Sequence, residues 1–152
     1  MTKKIIIESL PQKIPSNFED FKIIKIPMNF FERSKVRRRL KVENIELLLS
    51  LPTGTKLKPG TILYYDEAQK LAFQVEGKEE EVLVIYPKNF EEIVKAVHLL
   101  GNFHQAIDID LKQNAIITLF DSTLYERVEK MGITVRQEKR VFEGMLLGGH
   151  IH

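Results

Sequence analysis

The spacing of the apolar residues changes near the middle of this chain, and that change limits what the chain can fold into. The first half carries short apolar runs rich in β-branched residues, a pattern typical of strands. These runs are 5–7, 23–26, 47–51, 62–65 and 71–75. Stretches 51–55 and 57–60 carry Pro and Gly between the runs, at spacings too short for a helix, and so predict tight turns. The first half therefore predicts a small all-β domain.

The second half alternates strand spacing with helix spacing. A strand-like run at 82–86 is followed by Asn89 and Glu92, which are spaced as a helix capping box, and by Gly101 as the helix stop. The apolar stripe of this helix consists of Phe90, Ile93, Val94, Val97 and Leu100. Two strands, 107–109 and 116–119, are expected to join around Gln113 and Asn114.

A second helix is predicted to begin within 121–123 and to end at Gly132, followed by a last strand from 133 towards 141. Its core stripe is Leu124, Val128 and Met131. The order β-α-β-β-α-β is that of a ferredoxin-like domain, with two helices on one face of an antiparallel sheet. The predicted class is α+β, with an all-β domain at 1–76, a ferredoxin-like domain at 77–142, a flexible tail at 143–152, and a linker in the polar stretch 76–81.

The composition narrows the chemistry that this chain can perform. It has no cysteine, so a metal ion would be bound by imidazole, carboxylate or backbone groups, which favours nickel, zinc and copper(II). The 23 Lys and Arg residues against 21 Asp and Glu residues give a net charge of +2, too small to imply general binding to nucleic acid or anionic lipid. No run approaches the roughly 20 apolar residues of a membrane span, and we expect a cytoplasmic protein.

The four histidines are the side chains best suited to bind a metal. His150 and His152 form an H-x-H pair after two glycines, so their rings can converge on one ion; an ordinary chain end or a tag remnant is the alternative. His104 follows the predicted helix stop, where a structural histidine would look the same. His98 lies at the edge of the apolar stripe and is interpreted as structural.

A dense run of basic residues extends from Arg33 to Lys41. On a strand, its alternate residues from Lys35 onward would form a basic stripe suited to an acidic partner or to phosphates. Arg38 interrupts the inward row and indicates an edge strand or a bulge. A charged edge that prevents strand-to-strand aggregation explains the run equally well.

No catalytic arrangement is recognisable in the sequence. The serines lack a G-x-S-x-G setting, the glycines form no phosphate-binding loop, and H-E-x-x-H is absent. Asp108 and Asp110 alternate on a predicted strand, where acids usually form a solvated face. We therefore expect a binding protein and not an enzyme.

Several segments resemble the UreE family of urease accessory proteins, in the same order along the chain. They are Arg33 to Leu40, 47–55, 57–63, the element Leu100-Gly101-Asn102-Phe103-His104, 124–131, 132–135 and 142–143. The Gly-Asn-x-His element is the most specific of them. The resemblance covers nearly the whole chain.

This resemblance implies a nickel metallochaperone for urease maturation, with an N-terminal domain that binds peptide-like surfaces and a ferredoxin-like domain that dimerises. It implies that His104 binds nickel jointly with its symmetry mate, and that His150 and His152 supply further ligands. Ni(II) is then cargo, and Cu(II) and Zn(II) are expected to bind in vitro as well. The implied partners are a second copy, the urease accessory GTPase and the urease apoprotein complex. The long histidine tracts of richer family members are missing, so few ions per dimer are expected.

A different class of protein stays open on the sequence alone. In that reading the chain is a non-enzymatic module that holds RNA or an acidic peptide on the basic strand from Arg33 to Lys41, and the histidines are incidental. RNA binding without nickel binding would favour it.

Overall fold

The computed structural model describes residues 3–146 and divides the chain into two compact units, with the boundary between Gly77 and Lys78. His150 and His152 lie outside the described residues. The predicted class, α+β with an N-terminal β domain, is confirmed.

The described part of the first unit is built from six strands and one short α-helix, with a 3-10 turn at Phe18–Asp20 between the first two strands. They are β1 (Lys3–Ile7), β2 (Lys22–Met28), α1 (Phe30–Ser34), β3 (Arg37–Val42), β4 (Ile45–Ser50), β5 (Ile62–Asp66) and β6 (Leu71–Gly77). The strands form two three-stranded sheets in the orders β1-β4-β3 and β2-β6-β5. In each sheet the central strand pairs in parallel with one neighbour and antiparallel with the other.

The core of this unit follows from strand alternation. Inward residues such as Ile5 and Ile7 are buried, and the residue between them, Ile6, is exposed. Gly54 and Gly60 adopt positive φ angles of 91° and 93°, which confirms turns at the two predicted stretches.

Besides its strands, this β domain contains one short α-helix, α1, that the sequence analysis did not predict. Asn29 caps this helix: its Oδ1 accepts from the backbone N of Glu32 at 2.8 Å, and Glu32 Oε1 accepts from the backbone N of Asn29 at 2.9 Å. This reciprocal capping box stabilises a helix of only five residues. The basic run therefore begins in a helix at Arg33, and its strand begins at Arg37.

The second unit has the predicted β-α-β-β-α-β order. Its elements are β7 (Glu79–Tyr86), α2 (Phe90–Asn102), β8 (Asp108–Asp110), β9 (Ala115–Leu119), α3 (Ser122–Lys130) and β10 (Thr134–Val141). The four strands form one antiparallel sheet in the order β10-β7-β9-β8, the ferredoxin-like arrangement. Leu83, Ile85 and Ile116 of the sheet pack in one cluster with α2 and α3.

The boundary between the two units falls within the predicted linker 76–81, but only Lys78 separates β6 from β7, so most of that stretch is strand and not loop. The acidic start of β7 pairs with the basic end of β10, so that Glu80 lies opposite Arg140 and Glu81 opposite Lys139. Opposite charges on facing strand positions stabilise a strand whose sequence reads as a polar loop.

The apolar stripe predicted for the first helix divides into two faces. α2 buries Ala96 and Leu100 against the sheet, and Leu100 is only 1% exposed. The other stripe residues are exposed, and Phe90 is 77% exposed. At 3.6 residues per turn these exposed positions lie roughly a third of a turn from the buried ones. α2 therefore carries one apolar face against its own sheet and a second that faces outward.

Candidate metal centre

His104 lies immediately after α2, in a defined helix-ending motif. The backbone N of Gln105 donates to the carbonyl of Leu100 at 3.0 Å, and the backbone N of His104 donates to the carbonyl of Gly101 at 3.0 Å. These two bonds are those of a Schellman motif, with Phe103 as the C-cap residue. The imidazole is thus attached to a backbone that is fixed by hydrogen bonds.

The residue that adopts the left-handed conformation in this motif is His104 itself, with φ of 55°. The predicted helix stop, Gly101, lies inside the helix and has no positive φ. Glycine is the usual residue at such a position, and a side chain there costs about 1 kcal/mol. His104 occupies this position in spite of the cost, so that an imidazole lies at the helix end.

Two electrostatic features of this helix end bear on cation binding, and they oppose each other. The carbonyl groups of the last turn give the C-terminus of a helix a partial negative charge. In the described chain, the last turn of α2 carries no basic residue, whereas that of α3 carries Arg127 and Lys130. The guanidinium of Arg127 lies 5.2 Å from the centre of the Phe103 ring.

His98 lies on the exposed surface of α2, and its Nε2 lies 3.2 Å from Nδ2 of Asn102, one turn further along. A hydrogen bond between residues i and i+4 is a local helix contact. The interpretation of His98 as a structural residue stays a prediction.

The outward apolar face of α2 ends beside this candidate site. It consists of Phe90, Ile93, Val94 and Val97, which are 77%, 41%, 50% and 43% exposed. Gly101 continues the same side of the helix, and a Cβ added there would meet no atom within 4 Å. The sequence shows a helical spacing, in steps of four and three, for Phe90, Val94, Val97 and Gly101. This spacing does not reveal which side of the helix faces the sheet.

The two aspartates of β8 are occupied by protein donors. Asp108 is 6% exposed and accepts from the backbone N atoms of Glu143 and Met145, each at 2.8 Å. Asp110 accepts from Arg140 Nη1 at 3.0 Å, and this hydrogen bond lowers the pKa of Asp110, with the backbone N of Gln113 as the next contribution. Both carboxylates therefore stabilise the fold, and the expectation of a solvated face is wrong for Asp108.

Within residues 3–146, no three His, Asp or Glu side chains come together as a group that could hold a metal ion. The side chain of His104 is exposed. Leu146, the last described residue, forms an antiparallel bridge with Ile107, three residues after His104.

The basic residues of the first unit lie on a sheet edge. β3 is an edge strand with a continuous register against β4, so the alternative of an edge strand is confirmed and no bulge interrupts it. Arg37, Arg39 and Lys41 are exposed, and Arg39 Nε lies 2.7 Å from Glu46 Oε1. Arg38 points to the other side.

The partner of Arg38, which interrupts the inward row of β3, could not be predicted from the sequence. Its Nη2 lies 2.9 Å from Oε2 of Glu32 in α1, so its charge is paired. Lys35, predicted to continue the basic stripe, is the C-cap residue of α1 and does not belong to β3.

These observations define a class: an α+β protein whose ferredoxin-like unit carries an exposed imidazole and an uncovered apolar helix face on the same helix. A family model described as the N-terminal domain of UreE urease accessory protein matches residues 6–76. The chain is 39% identical, over 153 residues and the full length of both proteins, to the urease accessory protein UreE of Synechococcus sp. strain JA-3-3Ab.

Two further relatives carry the same name. The chain is 30% identical over 134 residues to the protein of Deinococcus radiodurans, covering 88% of this chain and 84% of that one. It is 26% identical over 153 residues to the protein of Staphylococcus epidermidis, covering 97% and 99%. The chain belongs to the UreE family of urease accessory proteins.

Membership of this family gives the protein a role in urease maturation, as an accessory protein and not as urease itself. No helix among residues 3–146 is long and apolar enough to cross a membrane.

Proposed function

We propose that this protein is a nickel chaperone, a cytoplasmic homodimer that binds Ni(II) through His104 and the C-terminal histidines and delivers it for assembly of the urease active site. The observation that carries the proposal is the placement of His104 at a strained helix end, beside the outward apolar face of α2. Residues with a strained backbone cluster at functional sites, although Glu43, Lys70 and Asn114 of this protein have similar positive φ values.

The outward face of α2 supports association of two copies. Fully burying one large apolar side chain contributes about 1.5–3 kcal/mol, and this face offers four such side chains per copy. In a two-fold dimer the same face meets itself, so the two His104 residues at the ends of the two helices are related by the axis. Gly101 leaves room for close approach of the partner.

The ligand set follows from the chemistry of the metal. Ni(II) takes about four to six ligands, and imidazole nitrogen suits it well. Two His104 rings supply two ligands, and His150 and His152 supply the rest in the proposal. Cu(II) and Zn(II) share this ligand preference, so both should bind the purified protein.

The main test is His104→Ala, measured by isothermal titration calorimetry with Ni(II). We expect the tightest site to disappear, whereas a chain ending at Leu146 should bind more weakly or bind fewer ions. His98→Ala is the matched control, because it removes an exposed imidazole from the same helix. Unchanged nickel affinity in His104→Ala would contradict the proposal.

The dimer is tested separately by placing a charge on the outward face. Val94→Glu should convert the dimer to a monomer in light scattering and abolish the tightest nickel site, since the two His104 rings would separate. Glu129→Lys, an exposed change on α3, is the control and should leave both unchanged. A monomeric parent protein would rule out the shared site.

Acid should release the metal. An imidazole must be neutral to bind nickel, and imidazoles ordinarily gain a proton between about pH 7 and pH 5. Equilibrium dialysis across this range should show bound nickel falling as the pH falls. Retention of nickel at pH 5 would indicate that ligands other than imidazole dominate.

The proposed partners are the urease accessory GTPase and the urease apoprotein complex, contacted in part by the exposed cations of β3. Reversal of Arg37 and Arg39 to Glu should reduce co-purification of the GTPase, and Lys22→Glu on β2 is the control. Salt-dependent binding of RNA by a protein that binds no nickel would instead favour the alternative, a module that holds RNA on the basic strand.

A further inference from the structure

The sheet β1-β4-β3 has one buried face and one exposed face. Ile5, Leu47 and Leu40 lie in register across its three strands and belong to the core cluster of the first unit. Because successive side chains of a strand alternate between the two faces of a sheet, the residues next to these three point away from the core. We call the outward residues of the three strands the outer face. They are Lys4 and Ile6 of β1, Glu46, Leu48 and Ser50 of β4, and Arg37, Arg39 and Lys41 of β3.

An apolar pair lies within the outer face. Ile6 is 64% exposed, and its register partner on the central strand is Leu48, which is half-buried. The next residue in the same row, on β3, is Arg39. The two apolar side chains therefore form a short strip across β1 and β4 that a partner could cover.

Cations surround this apolar pair. Lys4 and Lys41 lie on either side of Glu46 in the register. Arg39 Nε lies 2.7 Å from Glu46 Oε1, and the Arg39 side chain is still 73% exposed. The outer face therefore presents four cations against one carboxylate. The first unit as a whole also has more Lys and Arg than Asp and Glu, whereas the second unit has fewer.

This combination of side chains favours a protein partner over RNA. Proteins that bind single-stranded nucleic acid stack its bases on aromatic side chains, and none of the outer-face residues, all of them within the described chain, is aromatic. Phosphate groups would pair with the cations but would leave Ile6 and Leu48 exposed. A protein segment with acidic and apolar side chains would cover both.

The geometry of the outer face suits a helix. The face of a sheet offers side chains and not free backbone groups, so a segment that docks there must satisfy its own backbone hydrogen bonds, as a helix does. At normal strand spacing the two outer strands lie about 10 Å apart. The diameter of a helix with its side chains is about 10–12 Å, so one helix covers the three strands.

We propose that the outer face binds an acidic amphipathic helix of a partner protein, with the apolar stripe of the helix on Ile6 and Leu48 and its carboxylates on the surrounding cations. The inference rests on the part of the proposed function that assigns the β3 cations to partner binding, and it is independent of nickel. It adds β1 and β4 to that contact and defines the partner by its chemistry.

The direct test titrates an acidic helical peptide into the full-length, isotope-labelled protein and follows its amide signals by nuclear magnetic resonance. The peptide has about 18 residues, or five helical turns, with Leu along one face and Glu on the other. A peptide of the same composition in scrambled order has no apolar stripe and is the control. We expect shifts along β1, β4 and β3, and about tenfold weaker binding of the scrambled peptide. Shifts confined to other strands would overturn the proposal.

Two variants separate the apolar part of the contact from the charged part. Ile6→Ser should weaken peptide binding about tenfold at low and at high salt, since it removes apolar burial. Arg37→Glu should weaken it about tenfold at low salt and much less at high salt, because salt screens exposed charges. Ile23→Ser and Lys25→Glu, at exposed positions of β2 in the other sheet, are the matched controls and should leave the affinity unchanged.

Glu46→Gln should change the affinity in the opposite direction. It removes the acid among the outer-face residues and leaves an amide oxygen that can still accept from Arg39. The acidic peptide should then bind about fivefold more tightly at low salt. Thermal unfolding checks that the variant is folded. A purely structural role of Glu46 predicts no gain, so an unchanged or weaker affinity would contradict the proposed contact.

The remaining outcomes separate this inference from the function on which it rests. If oligouridylate shifts the same amides, and Ile6→Ser binds it as the parent does while the peptide does not bind, the occupant is RNA and the proposal is wrong. If the peptide does not bind but His104→Ala abolishes tight nickel binding, the docking surface is wrong and the chaperone stands. If the peptide binds the outer face but His104→Ala binds nickel normally, the surface stands and the nickel site is wrong.

Discussion

The C-terminal ends of α2 and α3 are closed by the same hydrogen bonds but by different residues. After α3, the backbone N of Ile133 donates to the carbonyl of Val128 at 3.3 Å and that of Gly132 to the carbonyl of Glu129 at 2.9 Å. The same pair of bonds ends α2: the backbone N of Gln105 donates to the carbonyl of Leu100, and that of His104 donates to the carbonyl of Gly101, each at 3.0 Å. The left-handed position is Gly132, with φ of 77°, in one helix and His104, with φ of 55°, in the other.

This difference shows which constraint decides the residue at each end. At the end of α3, the backbone conformation determines the residue, because glycine adopts a positive φ without steric cost. At α2 a side chain is present in spite of that cost, as the proposed role of the imidazole requires. The backbone conformation therefore explains Gly132 at the end of α3, but it does not explain His104 at the end of α2.

The largest effect is expected for His104→Gly, which makes the α2 end resemble the α3 end. The tightest nickel affinity should fall by more than about 100-fold, because a direct ligand is lost, and ligand-supporting groups alone are worth 10–100-fold. The free energy of unfolding should rise by roughly 0.5–1 kcal/mol as the strain is relieved. Calorimetric titration and thermal unfolding measure the two effects. A drop in stability would show that the imidazole itself stabilises the metal-free fold.

The converse change is Gly132→Ala, which introduces at α3 the strain found at α2. The added Cβ meets no atom within 4 Å, so the cost is that of the backbone alone, about 1–2 kcal/mol of lost stability. Nickel affinity should not change. Denaturant unfolding of the parent and the variant gives the difference. An equal stability would mean that the α3 end relaxes to another backbone conformation.

The smallest effects are expected at the helix starts. Asp121 Oδ1 accepts from the backbone N of Leu124 at 3.0 Å, and α3 has no other acid in its first turn. Asn89 caps α2 in the same way at 2.9 Å, but there Glu92 also accepts from the backbone N of Lys88. Asp121→Ala should therefore cost about 1 kcal/mol, and Asn89→Ala nearer 0.5 kcal/mol. Equal losses would show that Glu92 adds nothing at the start of α2.

Much of the fold could be predicted because local signals and tertiary structure agree. The turns at Gly54 and Gly60, the cap at Asn89 and the end of α3 at Gly132 depend on interactions between residues close in sequence. The strand start at Glu79 could not be predicted, since the charges that stabilise it lie on β10, some 60 positions later. The short helix α1 carried a capping signal that the basic residues after it obscured.

The position of His104 after the first helix could be predicted from the sequence, whereas the backbone conformation there could not. A histidine after a glycine in a helix-ending sequence marks His104, but its positive φ is known only from the backbone. The burial of Asp108 depends on a segment 35 residues away, so its sequence context resembles an exposed strand. The outward face of α2 uses the same residue types as a core stripe, and only packing distinguishes the two.

Gly101 has a consequence that concerns association rather than folding. A glycine inside a helix costs about 1 kcal/mol relative to alanine, and no atom of the described chain occupies the space that a methyl group would take. Gly101→Ala should accordingly strengthen the isolated subunit while weakening the pairing of two subunits, if the helices approach closely at that point. The added methyl group would then hold the two helices further apart. In the proposed dimer, the distance between the two His104 rings would therefore depend on the absence of a side chain at Gly101.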